Sequence, residues 1–102
     1  MSDQPHPRYV VFHTPGPAWR PGVGFREQPG VYDHVGHYAA FHEEGKLAMG
    51  GPFLSQDGGG MMIAAEGVDA EELEAHAAAD PAVASGLLTF EVRPRLVAMS
   101  AE

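Results

Sequence analysis

Residues 31–52 read VYDHVGHYAAFHEEGKLAMGGP, and this stretch decides the fold. Val31, Val35, Tyr38 and Phe41 recur three or four residues apart, the spacing of one helical face. Asp33, Glu43 and Glu44 fall off that stripe, and Gly45 supplies a C-terminal stop. Lys46–Met49 then alternates as extended chain and ends at Gly50-Gly51-Pro52. A helix therefore runs directly into a strand.

Working outward, Arg8–His13 (RYVVFH) is β-branched and aromatic, which predicts a strand before the helix. Between them lies Thr14–Gly30, where eight of 17 residues are Gly or Pro. That composition blocks regular structure and leaves Trp19 and Phe25 as anchors, in either a functional lid or a packed, inert loop. Residues 1–7 read as a loose polar tail, and 8–98 as the folded domain. Downstream, PFLSQDGGG predicts a hairpin connection around Asp57-Gly58, followed by a strand over Met61–Ala65. Asp69 caps a helix over AEELEAHAAA, whose early carboxylates suit the helix dipole and form a solvated face. Asp80-Pro81 breaks it and caps a short turn that ends at Gly86. Leu87–Arg93 alternates as a last, edge strand, with Pro94 as its end.

The order strand, helix, strand, strand, helix, strand predicts an α+β, ferredoxin-like βαββαβ sandwich. Its four-stranded antiparallel sheet carries both main helices on one face, with the first and third strands central. Those two strands are apolar on both faces: Tyr9/Val11 and Val10/Phe12 in one, Met62/Ala64 and Met61/Ile63 in the other. Two helices cover only one face, so a homodimer packed sheet to sheet is expected.

Composition narrows the function classes. The 102 residues are 44% hydrophobic and 20% charged, with a net charge of −8 and no cysteine. Thiol chemistry and thiolate metal sites are excluded. Acidity disfavours nucleic acid and anionic membranes as partners. No apolar run reaches the roughly 18 residues of a membrane span, and no signal peptide opens the chain, so a cytoplasmic location is expected.

Six histidines are available for chemistry. His34 and His42 share the apolar stripe of the first helix, while His37 lies nearer its flank. An inward histidine is either a hydrogen-bonded core residue or a titrating group at a pocket edge. Asp80, at the end of the second helix, is placed to approach the early turns of the first and to orient the His34 ring. The competing role for Asp80 is simply to cap the turn at Pro81; its two oxygens allow both. A metal site on His34, His37 and His42 is a third reading, without the H-E-x-x-H pattern. Ser55 and Ser85 lack a nucleophile motif, Gly58-Gly59-Gly60 is a turn, and Arg93 and Arg95 offer a weak anion site.

The stretch from His34 to Phe53, with its histidine eleven residues before Gly45 and its Gly51-Pro52 strand end, resembles the signature of the YCII-related family. So does the later ADPAVASGLLTFEVRP, from Asp80-Pro81 through Gly86 to Pro94. The likeness covers roughly residues 31–97 and the first strand; the long Thr14–Gly30 segment departs from it, as does Tyr32-Asp33 where an arginine is common. The resemblance implies a dimeric α+β barrel and an active-site pair of His34 and Asp80. It points to a small-molecule enzyme that performs cofactor-free acid/base chemistry of isomerase, lyase or hydrolase type, without a metal. The substrate pocket is expected beside Tyr38, Gly51, Pro52 and Phe53. The alternative is a non-catalytic dimeric binding domain in which the pair only locks the helices together.

Overall fold

The computed structural model of the chain describes residues 7–55 and 58–99. Residues 1–6 of the expected tail, and Asp57 of the expected turn, lie outside them. The elements are β1 (Arg8–Pro15), α1 (Val31–Glu43), β2 (Leu47–Pro52), β3 (Gly60–Ala64), α2 (Ala70–Ala78), α3 (Pro81–Ala84) and β4 (Leu88–Arg95). The strands form one sheet in the order β2-β3-β1-β4, every neighbouring pair antiparallel. This is the predicted α+β, ferredoxin-like arrangement, with β1 and β3 in the centre.

Local chemistry explains the boundaries. Gly45 follows α1 at φ 78, a conformation that a Cβ would strain. The Asp69 side chain accepts from Glu72 N–H at 2.8 Å and starts α2. Pro81 occupies the first turn of α3, where its missing N–H costs nothing. Pro94 does not end β4, contrary to the sequence expectation: the strand continues to Arg95, and Pro94 pairs with Tyr9. β4 is an edge strand, so a residue without a donor can face its open side.

The main core lies between the sheet and the two longer helices. Val11, Met62 and Ala64 from the sheet pack with Tyr38 and Phe41 of α1 and with Leu73 and Ala77 of α2. A smaller cluster joins Val31, Ala82, Leu87 and Leu88, with Trp19 against it. Residues alternate across a strand, so Val10, Phe12, Met61 and Ile63 point to the other face of the sheet.

The buried stripe of α1 is Val31, His34, Tyr38 and Phe41, while Val35 is 52% exposed. At 3.6 residues per turn those four fall within an arc of about 80°, and Val35 lies beyond it. His42 is rotated off the stripe in the same direction and is exposed. The helix is thus turned toward His34, at the expense of Val35.

Thr14–Gly30 is a packed segment with some regular structure of its own. β1 runs on through Pro15, and Phe25–Glu27 forms a 3-10 turn. Gly16 N–H donates to Leu87 O and Ala18 N–H to Gly86 O, both at 2.9 Å, which stitches the segment to the start of β4. A Cβ on Gly16 would collide with the Gly86 carbonyl, so only glycine permits that approach.

Candidate active site

Asp80 is fully buried at the N-cap of α3, and its two oxygens do separate work. Oδ1 accepts from Ala82 N–H at 2.9 Å. Oδ2 stands 2.5 Å from Nδ1 of His34, which is 8% exposed in the second turn of α1. The cap and the histidine partnership coexist, as two carboxylate oxygens allow. Burial alone would raise the Asp80 pKa. The hydrogen bonds from His34 and from Ala82 N–H, with the charge of the imidazole, outweigh it and hold the carboxyl below its ordinary value. An ionised Asp80 accepts only, so the proton between the two residues sits on His34 Nδ1. His34 Nε2, on the other side of the ring, makes no hydrogen bond among the described residues and is not sealed from solvent, and His34 lines a cavity.

Two further residues complete the cluster. Tyr38 lies one turn beyond His34 on α1, and its ring packs edge-on to His34 at 5.3 Å between centroids. His13 of β1 lies edge-on to both, 5.0 Å from His34 and 5.5 Å from Tyr38. Its Nδ1 donates to the Thr89 carbonyl at 3.0 Å, leaving Nε2 to accept from the Tyr38 hydroxyl at 2.8 Å. Burial, followed by the His34 charge, pushes the His13 pKa below its ordinary value; burial, followed by the Asp80 charge, raises that of Tyr38. Both shifts favour this neutral arrangement. Sequence reasoning missed His13. The signal was its position: it shares strand parity with Tyr9 and Val11, the helix-facing side of β1.

The cavity has a volume of about 520 Å³, within the range of small-molecule sites. Tyr38, Gly51 and Pro52 line it. Phe53 does not: it is 40% exposed and borders a second cavity, of about 590 Å³, with Leu54 and Ser55. β2 ends at Pro52, and the chain turns away there. Ser85 only caps a turn, accepting from Leu87 N–H and donating to Ala82 O. Arg93 and Arg95 are exposed on β4 and border neither cavity, so they do not serve this site.

The proposed trio of His34, His37 and His42 is not brought together. His37 faces α2, where its ring stacks on His76 at 3.8 Å, and His42 reaches only the cavity rim. Among the described residues, the cluster whose ligand atoms lie close enough for one ion is His13, His34 and Asp80, all within 4.8 Å. Apart from His34 Nε2, its imidazole nitrogens and carboxylate oxygens are engaged by one another, by Thr89, by Tyr38 and by Ala82 N–H. The arrangement is that of an oriented imidazole: a carboxylate fixes the tautomer on one side, and a free ring nitrogen meets a cavity on the other. No family model matches the chain, and no curated protein matches it either.

Proposed function

We propose that the protein is a small-molecule enzyme of the kind the YCII-related resemblance implies, performing cofactor-free acid/base chemistry in the cavity beside His34. In this reading His34 Nε2 takes a proton from the substrate and returns it. Asp80 holds the ring and stabilises the imidazolium formed in between. Tyr38, Gly51 and Pro52 shape the pocket. The observation that carries the reading is the 2.5 Å contact between His34 Nδ1 and the buried Asp80, with the opposite nitrogen left to the cavity.

The test is proton exchange in D2O. A panel of small neutral ketones and hydroxy compounds is incubated with the protein, and C–H to C–D exchange is followed by NMR. Exchange of at least one compound, lost in His34→Gln while the fold persists, is expected. No exchange, or equal exchange by His34→Gln, contradicts the reading.

The burial of Asp80 favours a second reading, in which the pair only ties α1 to α3 in a non-catalytic binding domain. In that case His34→Gln changes stability alone. We also propose that two copies pair through the sheet face turned from the helices. Support comes from the apolar side chains on that face, with Phe12 and Met61 half-buried and Met49 62% exposed. Light scattering showing a stable monomer at micromolar concentration contradicts it.

A further inference from the structure

Gln28 is the one buried side chain of the 14–30 segment that neither carries chemistry nor belongs to an apolar core. It is 2% exposed, and all of its hydrogen-bonding capacity points back into its own segment. Its Oε1 accepts from Arg20 N–H at 2.9 Å, while Nε2 donates to the carbonyls of Arg20 and Val23, each at 2.8 Å. A side chain thus replaces the backbone ladder that a Gly- and Pro-rich stretch cannot form. Together with the two bonds to Gly86 and Leu87 at its base, it gives the segment one shape. That shape presents two rings. Trp19 and Phe25 border the cavity of His34 and also the second cavity, so they form the partition between them.

The chemistry of the enclosed space is one-sided. Away from the histidines, Tyr38 and the Trp19 indole N–H, its side chains are apolar, among them Val31, Leu47, Met62 and Leu88, and none is Lys or Arg. The protons of His13, Tyr38 and His34 Nδ1 are already given to Thr89, His13 and Asp80. His34 Nε2 therefore offers the cavity an acceptor. Behind it stands the buried Asp80 carboxylate, which opposes a second negative charge. A carboxylate ligand would lose hydration and meet no Lys or Arg on the inner wall, where the side-chain donor without a partner is the neutral Trp19 indole N–H. His42 is exposed at the rim.

We infer that the Gln28-braced segment is the specificity wall of this cavity, where Trp19 and Phe25 admit uncharged, ring-sized molecules bearing a hydrogen-bond donor and the site rejects carboxylates. This inference rests on the reading of the cavity as the place of chemistry. It names the class of substrate that reading takes, and it assigns Trp19 and Phe25 to substrate contact and Gln28 to positioning.

Trp19 is the only tryptophan, so its emission reports the wall directly. The experiment titrates the full chain at about pH 8, above the ordinary imidazole value, with benzyl alcohol and separately with benzoate. Benzyl alcohol is expected to change Trp19 emission saturably, with benzoate at least about tenfold weaker. Phe25→Ala and Gln28→Ala are each expected to weaken the alcohol about tenfold and to narrow its advantage over benzoate. Phe25→Ala leaves every Gln28 bond in place, so it still tests the wall if Gln28→Ala unfolds. Benzoate binding as tightly as the alcohol, no binding of the alcohol, or wild-type selectivity in Phe25→Ala overturns the inference. Selective binding without proton exchange leaves the wall standing and removes the acid/base reading, whereas exchange without selectivity does the reverse.

Discussion

His13 Nε2 and the Tyr38 hydroxyl lie 2.8 Å apart in the buried layer between β1 and α1, and the Thr89 carbonyl decides which of them donates. That carbonyl can only accept, so His13 carries its proton on Nδ1 and Tyr38 donates to Nε2. The same bond sets the wall of the cavity, because it holds the tyrosine ring edge-on to His34.

Replacing Tyr38 by Phe keeps the ring and removes the donor. The buried His13 Nε2 then has no partner, at a cost of about 1–3 kcal/mol. Denaturant unfolding checks this. A change of less than about 0.5 kcal/mol would mean that the hydroxyl is not holding His13 in place.

A second histidine pair joins α1 to α2. The rings of His37 and His76 stack at 3.8 Å, and each Nε2 donates to the backbone carbonyl of the other residue, at 2.6 and 3.1 Å. Phe41 covers the far face of His76 at 4.0 Å. His76→Phe keeps the stacking and loses one bond, with a predicted cost of about 0.5–1.5 kcal/mol; His76→Ala loses both and costs more. Equal unfolding midpoints for the two variants would refute this.

Acid sensitivity follows from the neutral histidines. Burial, with the neighbouring imidazole in each case, holds His13 and His76 below the ordinary value of 6.5. Below that value the unfolded chain binds protons first, so stability falls as pH drops from about 7 to about 5. Asp80 acts lower on the scale. Its folded pKa lies below 3.8, so its contribution is intact above that value and is lost as pH falls through the folded pKa. Thermal unfolding across this range is predicted to slope less for His76→Phe than for wild type. An unchanged slope contradicts the assignment.

At position 80 the two roles of the carboxylate separate by substitution. Asp80→Asn keeps an oxygen for Ala82 N–H and is predicted to cost about 1–2 kcal/mol. Asp80→Ala removes both the cap and the partner of His34, for about 3–5 kcal/mol. Equal losses in urea unfolding would mean that the cap to Ala82 N–H contributes nothing.

Most of this architecture was legible in the residues because it rests on local signals. The period of α1, the caps at Asp69 and Asp80, the stop at Gly45 and the two-faced central strands are each written within a few positions. The approach of His34 to Asp80 was legible because both lie near the ends of elements that pack on one sheet face. What stayed hidden depends on rotation and on distant contact. The sequence stripe assigned Val35 inward because apolar spacing alone does not separate positions 34 and 35 on a helix. His13 looked like a strand end, since its partners Tyr38 and Thr89 lie 25 and 76 positions away. Gln28 gave no sign of burial, because its partners are backbone groups of an irregular segment. Phe53 was placed by its neighbours in sequence, and the chain turns at Pro52.

The tautomer of His34 is the most direct test of the central claim. Nitrogen-15 NMR of the imidazole, recorded at alkaline pH, is predicted to place the proton on Nδ1 in the wild type. In Asp80→Asn it is predicted to move to Nε2, because the asparagine amide then donates to Nδ1. A wild-type His34 protonated on Nε2, or the same tautomer in both proteins, would mean that Asp80 does not set the base and would contradict the account.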